Sequence, residues 1–266
     1  MKKNVSTAPL ALLLATLSAA PASAAEAALP PARLSYGLTV AGLPIADAVL
    51  GYDDRGGRYT LDVAWHTVGL AGIFASASGT VAAAGRLVSG RPHPRDYRLK
   101  EQGGDGPIDV EMSLSGGRVG RLEVEPPAKT GEDIVPVLPE HRRGVIDPLS
   151  AALLPAGTRP EEVCARTLQI FDGWSRWDIR LTPKAIRDEA PNGLRAPTVV
   201  CAVRWVPIAG HRAGHRSVRY MAANEDVEVR LARLADRDVW MPVETSVGTL
   251  IGTARAGLRS VSHGDR

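Results

Sequence analysis

The 266-residue chain carries 32 Lys and Arg against 29 Asp and Glu. It has no dense basic run, so its charge gives no reason to expect a phosphate-steered nucleic-acid partner. With 44% hydrophobic and only 5% aromatic residues, it can bury a mostly aliphatic core in one large β domain or two small ones.

The first 24 residues have the three-part layout of a secretory signal peptide. Lys2 and Lys3 supply a positive start, Leu10 to Leu17 an apolar run, and Ala22-Ser23-Ala24 a small-x-small site, which puts cleavage between Ala24 and Ala25. The apolar run is about half of the roughly 20 residues that a spanning helix needs, and no second such run follows. The expectation is therefore export to the periplasm, with no transmembrane segment after cleavage. Losing Lys2 and Lys3 leaves 30 basic against 29 acidic residues, which removes the remaining argument for an anionic polymer as partner.

Residues 25–32 read as a linker, and a two-residue period begins at Arg33. Leu34, Tyr36, Leu38 and Val40 alternate with small or polar residues, as a half-buried strand does. After the turn at Gly42-Leu43-Pro44, Ile45–Tyr52 is its hairpin partner. Tyr59, Leu61, Val63 and Trp65 give the cleanest alternation. Ile73–Ala83 is a strand of small residues, which implies that something packs close over it or that it bends at Gly79. Pro92 and Pro94 make Arg86–Lys100 an edge or an irregular strand. Two short strands follow, Ile108–Leu114 and Val119–Val124, and then Glu125–Gly144 has no period and reads as a long crossing loop.

The one helix expected starts at Asp147-Pro148, an N-cap followed by proline at the first helical position, and ends at Pro155. Strands are then expected at Cys164–Ile170, Trp177–Leu181, Pro197–Ile208, Val227–Leu234, Val239–Val247 and Leu250–Val261, followed by a disordered tail at 262–266. A transmembrane barrel fits this pattern poorly: the strands are short, aromatic girdles are missing and the chain ends on polar residues.

Cys164 and Cys201, 37 residues apart, are the only cysteines. In an exported chain a structural disulfide is favoured over two buried thiols, and the lack of C-x-x-C argues against a redox pair.

Several segments together resemble an exported bacterial family, domain-of-unknown-function family 3108. They are Cys164 with Phe171-Asp172-Gly173, Arg176-Trp177-Asp178, Cys201 with Pro207 to His211, Asp147 to Ser150, Tyr36-Gly37-Leu38 to Gly42, and Pro242-Val243 to Gly252. The order and spacing of these motifs, spread over residues 33–261, carry the likeness. An Arg closely follows the helix in many members, whereas Ala151 to Leu154 is apolar here, so no role is carried over to that position. The resemblance implies an all-β, mainly antiparallel domain at 33–261. It would be a strongly curved open sheet or half-barrel, similar to periplasmic lipoprotein carriers, with one short helix in the concave face. It implies no catalytic residues.

The candidate chemistry is sparse. His211 and His215 have H-x3-H spacing, but Gly210 and Gly214 interrupt it, and solvated turn histidines are the simpler reading. There is no G-x-S-x-G around Ser76, Ser78 or Ser150, and a triad with His66 and Asp62 has no sequence support. Asp53-Asp54, Glu161-Glu162 and Asp188-Glu189 sit in turn-like contexts, and the Gly-Gly pairs precede no helix. Of the five tryptophans most are expected to fill the core. In an open half-barrel, Tyr36, Trp65, Trp177 and Trp205 could instead line an apolar cavity.

The functional expectation is a non-enzymatic protein, without metal or cofactor, that binds or carries a lipid or other hydrophobic ligand or envelope component. The alternatives are an interaction module meeting an envelope protein through a sheet edge, and a hydrolase without a recognisable motif. Amino-terminal sequencing of the exported protein should begin at Ala25; a start at Met1 would overturn the export reading.

Overall fold

The computed structural model describes residues 30–69, 72, 76–103, 106–155, 159–191, 194–234, 237 and 239–264. The signal segment 1–24, the Ala24–Ala25 site and most of the 25–32 linker lie outside them. Fourteen strands form one mainly antiparallel sheet: β1 Ala32–Val40, β2 Leu43–Asp53, β3 Arg58–Thr67, β4 Ala77–Val88, β5 Arg91–Gly103, β6 Ile108–Ser115, β7 Arg118–Glu125, β8 Leu154–Pro155, β9 Arg166–Phe171, β10 Arg176–Arg187, β11 Leu194–Ala209, β12 Val227–Leu234, β13 Val239–Thr249 and β14 Gly252–His263. The order is β7-β6-β5-β4-β3-β2-β1-β14-β13-β12-β11-β10-β9, with β8 paired to β13 off this path. Two short α-helices, α1 Pro160–Val163 and α2 Arg216–Ala223, and three 3-10 turns, Arg55–Gly57, Pro139–Arg142 and Ser150–Ala152, accompany the sheet among the described residues.

The sheet is open but strongly curled. β5 and β13 stand six places apart in strand order, about 29 Å on a flat sheet at roughly 4.8 Å per strand. Yet both contact the segment running from Ser150 to Pro155. The two edge strands are spliced by one short stretch. Arg143 bridges Arg118 of β7, and Ile146 bridges Ile170 of β9. The Val145 N–H donates to the Gly117 carbonyl at 2.9 Å, and the Ile146 N–H to the Gln169 carbonyl at 2.9 Å. Edge donors and acceptors that would otherwise invite another chain are partly covered in this way.

Side-chain alternation puts a core on each face of the carboxy-terminal strands. Val239 and Met241 of β13 join the main core with Leu34, Tyr52 and Phe171. Trp240 between them joins a second core with Leu231, Cys201 and Val163. Helix α1 is only four residues long, and the Cys164–Cys201 disulfide (Cα–Cα 5.5 Å) ties its end to β11. Both cysteines are wholly buried.

The structure departs from the sequence reading in several places. Helix α1 had no expected counterpart, β10 runs on to Arg187 past the expected end at Leu181, and β4 is Ala77–Val88 where a strand at Ile73–Ala83 was expected, of which residues 73–75 lie outside the described residues. The expected helix at Asp147 is a single 3-10 turn at Ser150–Ala152, because Leu153 must leave the turn to enter the core. The capping role of Asp147 holds: its Oδ1 accepts from the N–H groups of Leu149 (3.1 Å) and Ser150 (2.8 Å). Helix α2 follows the turn read at His211–His215 and had no expected counterpart. The proline-bearing strand is the interior strand β5, yet β6 pairs only with its Asp96–Glu101 part, so Pro92 and Pro94 lie where β5 is locally an edge. Finally, Ala32 opens β1, and Ser262 and His263 close β14 opposite it, so both ends of the sheet domain extend beyond 33–261. Gly79 of the small-residue strand β4 sits under Trp65: a Cβ there would lie 2.6 Å from the indole nitrogen.

Replacing both cysteines with serine should lower the unfolding free energy by about 2–4 kcal/mol, read from urea denaturation. An unchanged midpoint would show that the bond contributes nothing to this fold.

Candidate functional site

In this meander, one end of the sheet gathers the turns after β1, β5, β9, β11 and β13, together with the chain leaving β7. A cleft of about 770 Å³ opens at that end. One wall is the aperiodic segment after β7, from Pro126 to Val137, and the facing wall is the segment from Gly210 to Val218. The walls are laced together: the Gly210 N–H donates to the Val135 carbonyl (2.7 Å), the Val135 N–H to the His211 carbonyl (3.0 Å), and the Ala213 N–H to the Asp133 carbonyl (3.0 Å). Trp174, in the β9–β10 turn, lies between them, and its indole N–H donates to the Pro126 carbonyl at 2.9 Å. Asp172 fixes that turn by accepting from the N–H groups of Trp174 and Ser175. Gly210 has φ +83, and a Cβ there would lie 2.1 Å from the Trp174 carbonyl oxygen, so only glycine lets the walls close on the turn.

The apolar lining includes Ile108, Ile134, Val137, Trp174 and Val218, and the charged or titratable lining consists of Lys129, Arg142, His211, Arg212 and His215. The volume falls in the range of about 300–1,000 Å³ usual for small-molecule sites. Leu43, Leu250 and Ile251, among the most exposed large apolar side chains at 61%, 61% and 77%, tip two hairpins at this same end of the strands.

The aromatic residues expected to line a cavity lie elsewhere. Tyr36 is half-buried against the main core, and its hydroxyl donates to the Pro242 carbonyl at 2.7 Å. Trp65 packs over Gly79, Trp177 directs its indole N–H toward Asp172 at 3.4 Å, and Trp205 is half-buried opposite Ile179. None of the four lines the large cleft or a smaller one of about 250 Å³ near Gly37 and Arg230. Trp174 is the tryptophan that does. Its position directly after a tight Asp-Gly turn, outside any alternating strand, was the available signal.

His211 precedes α2 and His215 is its N-cap, so the two do not share a helical face, and no group of metal ligands forms among the described residues. His66 and Asp62 stand on the exposed face of β3, while Ser150 is buried. Ser150 instead belongs to a buried polar chain: the Tyr59 hydroxyl lies 2.7 Å from Ser150 Oγ, and Ser150 in turn hydrogen-bonds Asp147. Asp147 is fully buried, and its Oδ2 has no hydrogen-bond partner. Burial pushes its carboxyl up to about 6, against the pull of its hydrogen bonds. The chain sits inside the core, away from any cleft lining, and serves the splice between the sheet edges.

The sequence model of the family described as "Protein of unknown function (DUF3108)" matches residues 33–259, most of the chain. The chain belongs to the DUF3108 family. A search of curated proteins gave no match. Among solved structures, this DUF3108 chain is similar to a "Beta-barrel-like Protein of Domain of Unknown Function DUF1849 from Brucella abortus". The TM-score is 0.54 at 10% identity, over 90% of this chain and 99% of that one. At that identity the likeness is one of fold, and it agrees with the curled open sheet.

Because the folded state holds the Asp147 proton to higher pH than the unfolded chain does, this group is most favourable at low pH. Its contribution then declines as pH rises from about 4 to 6, by about 3 kcal/mol in total at 1.36 kcal/mol per pH unit. Asp147→Asn keeps the capping oxygen and removes the charge. Its stability advantage over the unsubstituted protein should widen between pH 4.5 and 7 in urea titrations; parallel profiles would disprove a buried ionisation there.

Proposed function

We propose that this protein acts in the periplasm as a non-catalytic binder or carrier of a hydrophobic ligand or envelope component, whose apolar part lies in the cleft against Trp174. The observation that carries this reading is the cleft itself. It is of small-molecule size, has a mainly apolar lining, and is built by glycine-tight contacts between segments far apart in the chain. The exposed apolar tips at the same end of the strands support it, since a hydrophobic cargo exchanges most readily where apolar surface is already in water. The signal-like amino terminus supports the location. The edge-to-edge interaction reading has less in its favour, because residues 143–146 occupy part of both outer strands.

Native mass spectrometry and lipid extraction on protein purified from a periplasmic fraction should reveal a co-purifying apolar molecule. Trp174→Ala should weaken uptake of a fluorescent acyl probe by about tenfold, as loss of a buried aromatic contact worth on the order of 1.5 kcal/mol would. A clean ligand-free mass together with no probe uptake by the unsubstituted protein would end the carrier reading.

A further inference from the structure

Burial of apolar surface does not explain which residues rim the cleft. Lys129, Arg142, His211, Arg212 and His215 all line it, and no Asp or Glu lines it among the described residues. Asp133 engages Arg212 at 3.3 Å across an exposed ion pair. Lys129 and Arg142 have no acidic partner among the described residues. The Arg142 guanidinium lies 5.9 Å over the Phe171 ring, which orients its planar donors without neutralising them. His211 also lines the cleft, half-buried, with its Nδ1 shielded from solvent.

We propose that the cleft selects an anionic amphiphile: a single-chain molecule whose apolar tail packs on Ile108, Val137 and Trp174 and whose carboxylate or phosphate head is held by Lys129 and Arg142, with His211 beside it. This names the ligand class for the site proposed above and rests on that reading. Arginine pairs carboxylate and phosphate through two parallel N–H donors, and lysine adds a point charge. The partial enclosure of the site strengthens both relative to open water. Lys129 and Arg142 are exposed and so hold the head toward solvent, while Ile108, Val137 and Trp174 are half-buried and take the tail.

The test is calorimetric titration of the mature protein with four ten-carbon chains that differ only at the head: decanoate, decyl phosphate, decyltrimethylammonium and decyl maltoside. Inorganic phosphate serves as the head without a tail. One or both anionic chains should bind about tenfold or more tightly than the neutral and cationic chains, as one or two charge-assisted hydrogen bonds allow, and that preference should shrink as salt is raised. The decanoate and decyl phosphate arms distinguish a fatty-acid head from a phospholipid-type head. Lys129→Ala/Arg142→Ala should remove the preference, bringing the affinity of the anionic chains down to that of decyl maltoside for the same variant. The salt dependence of the unsubstituted protein gives the same information if that variant misfolds. Equal affinity for all four chains would overturn the anionic selectivity and leave the hydrophobic-ligand reading standing. Inorganic phosphate binding as tightly as decyl phosphate would overturn the amphiphile. Failure of every chain to bind would overturn both readings.

Discussion

Residues 143–146 lie between the two outer strands of a fourteen-strand sheet and hydrogen-bond to both. Everything else in the architecture follows from that splice. A sheet of this width left flat would expose two long rows of unpaired backbone groups and could not enclose a core on its own. Joining the rows through one stretch of chain forces the sheet to curl until β5 and β13 touch the same segment. The curl, in turn, lets residues from β1, β2, β9 and β13 meet in one apolar cluster. Asp147 follows the splice directly, and its capping hydrogen bonds turn the chain into the core at Ser150. The fold tolerates a carboxyl buried at its centre because that carboxyl organises the turn.

The cleft is a consequence of the same closure. The β9–β10 turn is carried round to meet the chain leaving β7, so that Trp174 and Pro126, 48 residues apart, share a hydrogen bond. Gly173 packs against Val110 and Val124 of β6 and β7: a Cβ there would lie 3.0–3.1 Å from their methyl groups. The aperiodic segment after β7 cannot continue the sheet at that point, and it pairs with residues 210–213 to wall off a space. A largely apolar cleft therefore sits where the sheet nearly closes, at the strand end that also carries the exposed apolar tips.

The carboxy-terminal half is stabilised differently from the amino-terminal half. β12 and β13 are covered on both faces, which explains why Val239 to Val243 reads as nearly unbroken apolar sequence, while β3 alternates cleanly. The disulfide and α1 sit in the second core. The buried guanidinium of Arg237 fastens the halves together by pairing with Asp54 and the Pro30 carbonyl and lying 5.2 Å over the Tyr52 ring. A charge so deeply placed is tolerable only because a carboxylate, a carbonyl and an aromatic face all meet it.

The sequence by itself determined the local elements. The residue pattern located most strands to within a few residues, though it misplaced ends of β4, β5 and β10; the Asp-Gly turn separated β9 from β10, Asp147 was legible as a cap, and the two cysteines in an export context pointed to their bond. Each of these depends on neighbours within a few positions, or on there being only one possible pair. The tertiary structure alone decided how the sheet curls, that Ser150–Ala152 is one 3-10 turn instead of a helix, and that Trp174 lines a cleft while Tyr36, Trp65, Trp177 and Trp205 do not. The splice at 143–146 draws its hydrogen bonds from two strands that are distant in sequence, so its own residues carry no period to read. Likewise, the cleft-lining residues come from four separate segments, and only closure of the sheet brings their side chains to one place.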